Sequence, residues 1–182
     1  MSKGIVYFDL ETQLTANDVG GWNRKHEMKM SIGVTYNAAE KIYRIYPESR
    51  VEELIDELLH AELVVGYNTI HFDYEVLMGY TILDLPGTLR SLDLMADVEK
   101  ILGHRLKLDA LAHGTFGYGK TADGLDAIKW WREGKILQIA EYCCFDVKVT
   151  RMVHEYGARN KELFFTDRFS RRQKMNVAWS LA

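Results

Sequence analysis

Hydrophobic and polar positions along this chain change period several times, and each change marks an element. Gly4–Leu10 is rich in strand formers at Ile5, Val6 and Tyr7 and predicts a first strand. A polar stretch from Thr12 to Lys29 follows, carrying Gly20-Gly21 and Trp22; connections of that length are usually functional or mobile. Met30–Tyr36 and Ile42–Tyr46 read as two strands of a hairpin turned over Asn37-Ala38-Ala39-Glu40. The period then becomes helical. Ser49-Arg50-Val51-Glu52 has capping-box spacing, and Val51, Leu54, Ile55, Leu58 and Leu59 fall on one stripe. Leu63–Tyr67 predicts a short buried strand and Asp73–Tyr80 a helix. Leu85-Pro86-Gly87 predicts a turn, and Leu89–Asp93 a fifth strand. Helices are expected at Leu94–Leu102, Leu108–Gly114, Gly124–Glu133 and Ile136–Tyr156. The tail reads as a second hairpin, Glu162–Thr166 with Lys174–Trp179, around Arg171-Arg172.

Three strands, a helix, a strand, a helix, and a strand followed by helices predict an α/β layered fold of ribonuclease H type. Its mixed five-stranded sheet is flanked by helices on both faces and carries a C-terminal hairpin. A length of 182 residues suits one domain, with 1–160 as its body and 161–182 as an extension packed on it. The 47% apolar content is that of a globular chain, so disorder is not expected. A net charge of −3 argues against a protein held to nucleic acid by overall basicity. It leaves a nuclease open, because bound cations reverse the local sign of an acidic site. Cys143 and Cys144 are adjacent, poorly placed for an ordinary disulfide, and lack metal-type spacing; they read as small helix fillers. With no signal-peptide core and no apolar stretch of membrane-spanning length, a cytoplasmic protein without membrane partners is expected.

The chemistry begins at Phe8-Asp9-Leu10-Glu11-Thr12. Side chains alternate along a strand, so Asp9 and Glu11 share a face, roughly 6.7 Å apart along the backbone. Two such carboxylates are costly to desolvate unless a cation lies between them. Further ligands can come from Gly66-Tyr67-Asn68-Thr69-Ile70-His71-Phe72-Asp73, where a strand ends and Asp73 opens a helix. Others can come from Glu141-Tyr142-Cys143-Cys144-Phe145-Asp146, where Tyr142 and Asp146 lie one helical turn apart.

Asp-x-Glu, Asn-x4-Asp and Tyr-x3-Asp in this order resemble the three motifs of the DEDD-type (DnaQ-like) 3′–5′ exonucleases, tyrosine subtype. Glu141-Tyr142 stands where the histidine subtype carries its histidine. With the late "FFTDR" and "AWS" segments, the chain looks most like the YprB-like branch related to B-family polymerase proofreading domains. The resemblance implies two Mg²⁺ or Mn²⁺ ions. Asp9 would bridge them, Glu11 and Asp146 would complete one site, and Asp73 would hold the second ion. Tyr142 would orient the attacking water and help deprotonate it, and Thr12 and Asn68 would lie near the terminal nucleotide. Two hard cations about 4 Å apart suit an in-line phosphodiester displacement and prefer oxygen ligands. The substrate implied is nucleic acid with a free 3′ end, DNA favoured over RNA, and a helicase or polymerase partner is a further expectation of the family.

Gly114–Thr121 fits the phosphate-loop pattern G-x4-G-K-T, but that mechanism needs a preceding strand, and Lys107–His113 is helical in character. ATP binding is therefore not expected. A Gly-rich turn between helices is preferred, with Lys120 turned toward substrate phosphate. Trp130-Trp131 could stack on bases, although packing is the simpler reading. Arg168, Arg171, Arg172 and Lys174 form a local basic cluster that is equally a solvated hairpin or a track for single strands. His113 and His154 read as structural. Two other functions compete with the exonuclease: a ribonuclease H-like endonuclease, and a catalytically silent nucleic-acid-binding module serving a helicase or polymerase.

Overall fold

Strand β1, Ile5–Thr12, is the axis on which the molecule is built. The computed structural model describes residues 4–117, 124–167, 169 and 171–181. Strands β2 (Met30–Asn37) and β3 (Ile42–Pro47) continue antiparallel from one side of β1. On its other side lie β4 (Leu63–Gly66) and β5 (Ser91–Asp93), both parallel to it, giving the sheet order β3-β2-β1-β4-β5. The mixed five-stranded sheet with helices and a C-terminal hairpin is the ribonuclease H-like fold that the element order predicts. The register pairs Asp9 with Val34 and Glu11 with Ile32, and an irregularity between Glu11 and Thr12 ends regular pairing beside those acids.

Helix α1 (Val51–His60), α2 (Asp73–Leu77) and the short α3 (Leu85–Thr88) contribute to one apolar cluster with Val6, Phe8 and Leu10. The other cluster takes Tyr7, Ile32, Val34 and Val65 from the sheet. It adds residues of α4 (Leu94–Leu102), α5 (Leu108–Phe116), α6 (Gly124–Arg132) and α7 (Ile136–Asn160). Strand alternation thus divides β1 between two cores.

Several boundaries differ from the sequence reading. The capping box does not form: a 3₁₀ turn at Glu48–Arg50 leads into α1, and Arg50 instead pairs with Glu53, Nε to Oε1 at 2.8 Å. Glu48 is engaged elsewhere, accepting from Gln13 Nε2 at 2.6 Å and the Tyr80 hydroxyl at 2.7 Å. Leu59 is exposed, whereas Glu57 is buried and accepts from Thr35, Tyr46 and Arg44. The stripe is therefore narrower than predicted, and the buried acid is compensated by a cation and two hydroxyls. Helix α2 is shorter than Asp73–Tyr80, and residues 85–88 form a helical turn capped by Asp84.

The C-terminal hairpin pairs β6 (Glu162–Thr166) with β7 (Arg172–Asn176), so the returning strand starts earlier than Lys174. Leu163, Phe165, Met175, Val177 and Trp179 enter the same core as α7. Contact is close at Gly114: an added Cβ would lie 2.3 Å from Phe165 Cα and 2.6 Å from Phe164 O. A glycine in α5 is what lets the hairpin backbone approach.

Candidate active site

The face of β1 opposite Val6, Phe8 and Leu10 carries Tyr7, then Asp9 and Glu11, and it is covered by α7. Tyr142, Cys143 and Asp146 are close enough in sequence to lie on adjoining turns of that helix. Fully buried Cys143 links the two elements, its Sγ lying 3.4 Å from both the carbonyl oxygen and Oδ2 of Asp9. One carboxylate oxygen from each of Asp9, Glu11 and Asp146 falls within 4.8 Å of the others. Glu11 and Asp146 are buried and Asp9 is half-buried.

An all-oxygen set of this span suits a hard divalent cation, whose ligands stand at about 2.0–2.6 Å and therefore about 4–5 Å apart across the ion. Without such an ion, three carboxylates this close repel one another in a poorly solvated place. The donor set thus fits Mg²⁺ or Mn²⁺, as opposed to a thiophilic metal served by several sulfurs.

Asp73 reaches the region differently. It is 2% exposed, and its Oδ1 accepts from the Leu10 backbone N–H at 3.1 Å. Burial, reinforced by the charge of Asp9, pushes its carboxyl well above the usual carboxylate range. It lines a cleft with Asp9 and Glu11 but stands outside the close trio. Its approach depends on Gly66, where an added Cβ would lie 2.1 Å from Thr69 Cγ2 and 3.0 Å from the Phe8 carbonyl. The chain after β4 therefore folds tightly back over β1. Asn68, at φ 68°, takes the left-handed conformation that short amide side chains tolerate.

Tyr142 is in hydrogen-bond contact with Asp146, and its ring meets Trp130 edge-on with centroids 5.9 Å apart. Burial first, then the charges of Asp146, Glu11 and Asp9, push the phenol far above its ordinary pKa. It therefore keeps its proton near neutrality and acts as a donor. Trp130, considered as a base-stacking residue, instead supports Tyr142; it and Trp131 are partly buried against the core.

Two cavities meet at the acids. One of about 600 Å³ takes in Asp9, Glu11, Thr12, Asn68 and Asp73, with walls from Trp22, Phe72 and Leu125. The exposed Trp22 ring stands edge-on to Phe72, centroids 6.4 Å apart. A second, of about 870 Å³, shares Asp9 and Asn68, reaches Tyr142 and Asp146, and has Arg105 and Lys107 in its wall. Thr12 is buried, its hydroxyl donating to Leu14 O at 3.0 Å. Lys120, expected to face substrate phosphate, lies outside the described residues. Sequence reasoning did not connect Phe72 or Cys143 with the site. An aromatic residue directly before Asp73 and a small residue between Tyr142 and Asp146 were the available signals.

The described half of the G-x4-G-K-T pattern continues α5 and ends at Gly117, φ 80°, so a helix and not a strand precedes its Lys-Thr. Arg171 pairs with Asp167 at 2.9 Å, and Lys174 with Glu162 at 2.9 Å. Arg172 lies over the Phe164 ring at 3.8 Å and donates to Gly114 O, while Arg168 is outside the described residues. These three cations brace the hairpin. His154 is fully buried with Nδ1 3.0 Å from the Tyr7 hydroxyl, a structural histidine, whereas His113 is exposed. Among the described residues, no helix is long and apolar enough to cross a membrane.

A mixed sheet ordered 3-2-1-4-5 with clustered carboxylates beside its central strand defines the class, and family comparison agrees. The chain belongs to the RNase_H superfamily, whose model matches residues 6–156. Among solved structures it is similar to the family B DNA polymerase from the hyperthermophilic archaeon Pyrobaculum calidifontis, with a TM-score of 0.63 and 16% identity. That match covers 86% of this chain and 25% of the polymerase, so the chain spans about a quarter of the polymerase's length. At this identity the likeness is one of fold. No curated protein matches the sequence.

Proposed function

We propose that the protein is a metal-dependent 3′–5′ exonuclease of the DEDD type, tyrosine subtype, in the YprB-like branch. It would release nucleoside 5′-monophosphates from the 3′ end of nucleic acid, DNA favoured, in the cytoplasm. The observation that carries this reading is the meeting of Asp9, Glu11 and Asp146 within 4.8 Å, with Tyr142 bonded to Asp146. Membership of a ribonuclease H superfamily and a fold shared with a DNA polymerase support nuclease chemistry on nucleic acid.

In this reading Asp9, Glu11 and Asp146 would hold one divalent ion, and Asp73 would contribute to holding a second. Such cations, when bound, would neutralise phosphate charge and make a water molecule more acidic. Tyr142 would offer its O–H to fix the position of an attacking water. Cys143 and the Leu10 backbone hold the carboxylates of Asp9 and Asp73. The cleft walled by Trp22 and Phe72 accepts the terminal nucleotide beside Thr12 and Asn68. Residues 1–160 would supply the reaction, and Leu163, Phe165, Met175, Val177 and Trp179 of the extension pack in the same core as α7. A helicase or polymerase would deliver the 3′ end.

Incubating 3′- and 5′-labelled strands with Mn²⁺ tests the assignment. Mononucleotides released from the 3′ end, with a covalently closed circle left intact and Asp9→Ala inactive, are expected. Cleavage of the circle would establish an endonuclease instead, and no hydrolysis with any strand would defeat the proposal.

A further inference from the structure

Asp93, at the end of β5, carries more hydrogen bonds than a helix cap requires. Its side chain is 4% exposed and occupies the N-cap of α4, with Oδ1 accepting from Met95 N at 3.0 Å and Ala96 N at 3.2 Å. Those two bonds complete the cap. Two further N–H groups, unrelated to α4, also point at it: Asn68 N at 2.8 Å to Oδ1 and Ile70 N at 3.1 Å to Oδ2. One buried carboxylate thus accepts four backbone N–H groups from two segments more than twenty residues apart.

The second segment is the turn that delivers the candidate site. Asn68 holds a positive φ, Thr69 is folded over Gly66, and the Thr69 carbonyl accepts from Tyr74 N at 2.9 Å as α2 begins. Asp73 opens that helix. Tyr74, the next residue, bonds back to β5 through its hydroxyl, 2.7 Å from Ser91 Oγ. β5 therefore grips both ends of the stretch 68–74. A carboxylate is suited to this because it has two acceptor oxygens and no donor.

We infer that Asp93 is a positioning residue for the proposed reaction, setting the Asn68–Asp73 turn against β1 so that Asn68 faces the terminal nucleotide and Asp73 faces the metals. It touches neither reacting atoms nor metal; it acts through Asn68 and Asp73. The inference rests on the exonuclease reading, but its structural part can be tested separately.

Asp93→Ser separates the two duties, since serine is a competent N-cap but too short to reach Asn68 and Ile70. Asp93→Asn keeps one acceptor oxygen and turns an NH₂ group toward Ile70 N, the amide that Oδ2 serves. Asp84→Ser, at a cap that lines neither cavity, is the control. Assays run well below all melting temperatures, with Mn²⁺ affinity measured by calorimetry on the same proteins. The expected result for Asp93→Ser is a loss of about 10- to 100-fold in kcat/KM and weakened Mn²⁺ binding. Asp93→Asn should be intermediate and Asp84→Ser should match the parent. Parental kcat/KM and Mn²⁺ affinity in Asp93→Ser, whatever its melting temperature, would overturn the inference. If the parent hydrolyses no strand, the exonuclease reading falls alone, and the Mn²⁺ titrations still decide whether Asp93 positions this turn.

Discussion

Cys143 and Asp9, separated by 134 positions in the chain, meet at 3.4 Å, sulfur to carboxylate oxygen. Burial, reinforced by the charge of Asp9, pushes the thiol well above its usual pKa, so it remains S–H and donates to Oδ2. The side chain read from sequence as a filler is thus a spacer that fixes the distance between α7 and β1. Cys143→Leu would overpack that contact, at a cost of about 1–3 kcal/mol, and push Asp9 away from Glu11 and Asp146. Calorimetry should show lost Mn²⁺ binding for Cys143→Leu and retained binding for Cys143→Ser, which keeps a donor of similar size.

Asp146→Asn should have opposite effects on stability and activity. Removing one of three crowded charges stabilises the metal-free protein, by about 1 kcal/mol, while abolishing cation binding and strand hydrolysis. In thermal melts Mn²⁺ should raise the midpoint of the parent and leave the variant unchanged.

Tyr142→Phe removes the donor while keeping the ring against Trp130. Loss of the hydroxyl should lower kcat about 10- to 100-fold with little change in KM or Mn²⁺ affinity. Single-turnover kinetics on a labelled strand would measure it. A change confined to KM would mean that Tyr142 contacts substrate and not the attacking water.

Trp22 offers an exposed ring at the mouth of the cleft. Base–aromatic stacking is worth about 1–3 kcal/mol, so Trp22→Ala should raise KM for a single strand about 5- to 150-fold with kcat nearly unchanged. An unaltered KM would assign the ring to packing on Phe72.

Stability should depend on pH through His154. Burial holds its pKa below the free value of 6.5, against smaller opposing effects from a hydrogen bond with the Ser180 backbone and from the charge of Glu155, so the imidazole is neutral beside Tyr7. The unfolded chain then binds the proton more readily. Stability from this group is fully present above about pH 6.5 and is lost as pH falls below it. Chemical denaturation at pH 7.5 and pH 5.5 should show a smaller decline for His154→Gln, which cannot titrate, than for the parent.

Element order and most of the acids were legible in the chain before any folding was known. Period-2 and period-3.6 patterns are local consequences of which residues must be buried, so β1, β2, α4 and α7 could be read directly. Alternation alone put Asp9 and Glu11 on one face, and helical spacing put Tyr142 beside Asp146. Tertiary structure alone decided the rest. Buried polar groups must find partners wherever the fold supplies them, and those partners lie far away in sequence. Glu57 is therefore buried beneath Arg44, Thr35 and Tyr46, Leu59 is left in solvent, and Asp93 serves amides at Asn68 and Ile70. The separation of Asp73 from the close trio has the same origin: its oxygen is held by the Leu10 amide of the strand it packs against, a bond no spacing rule encodes.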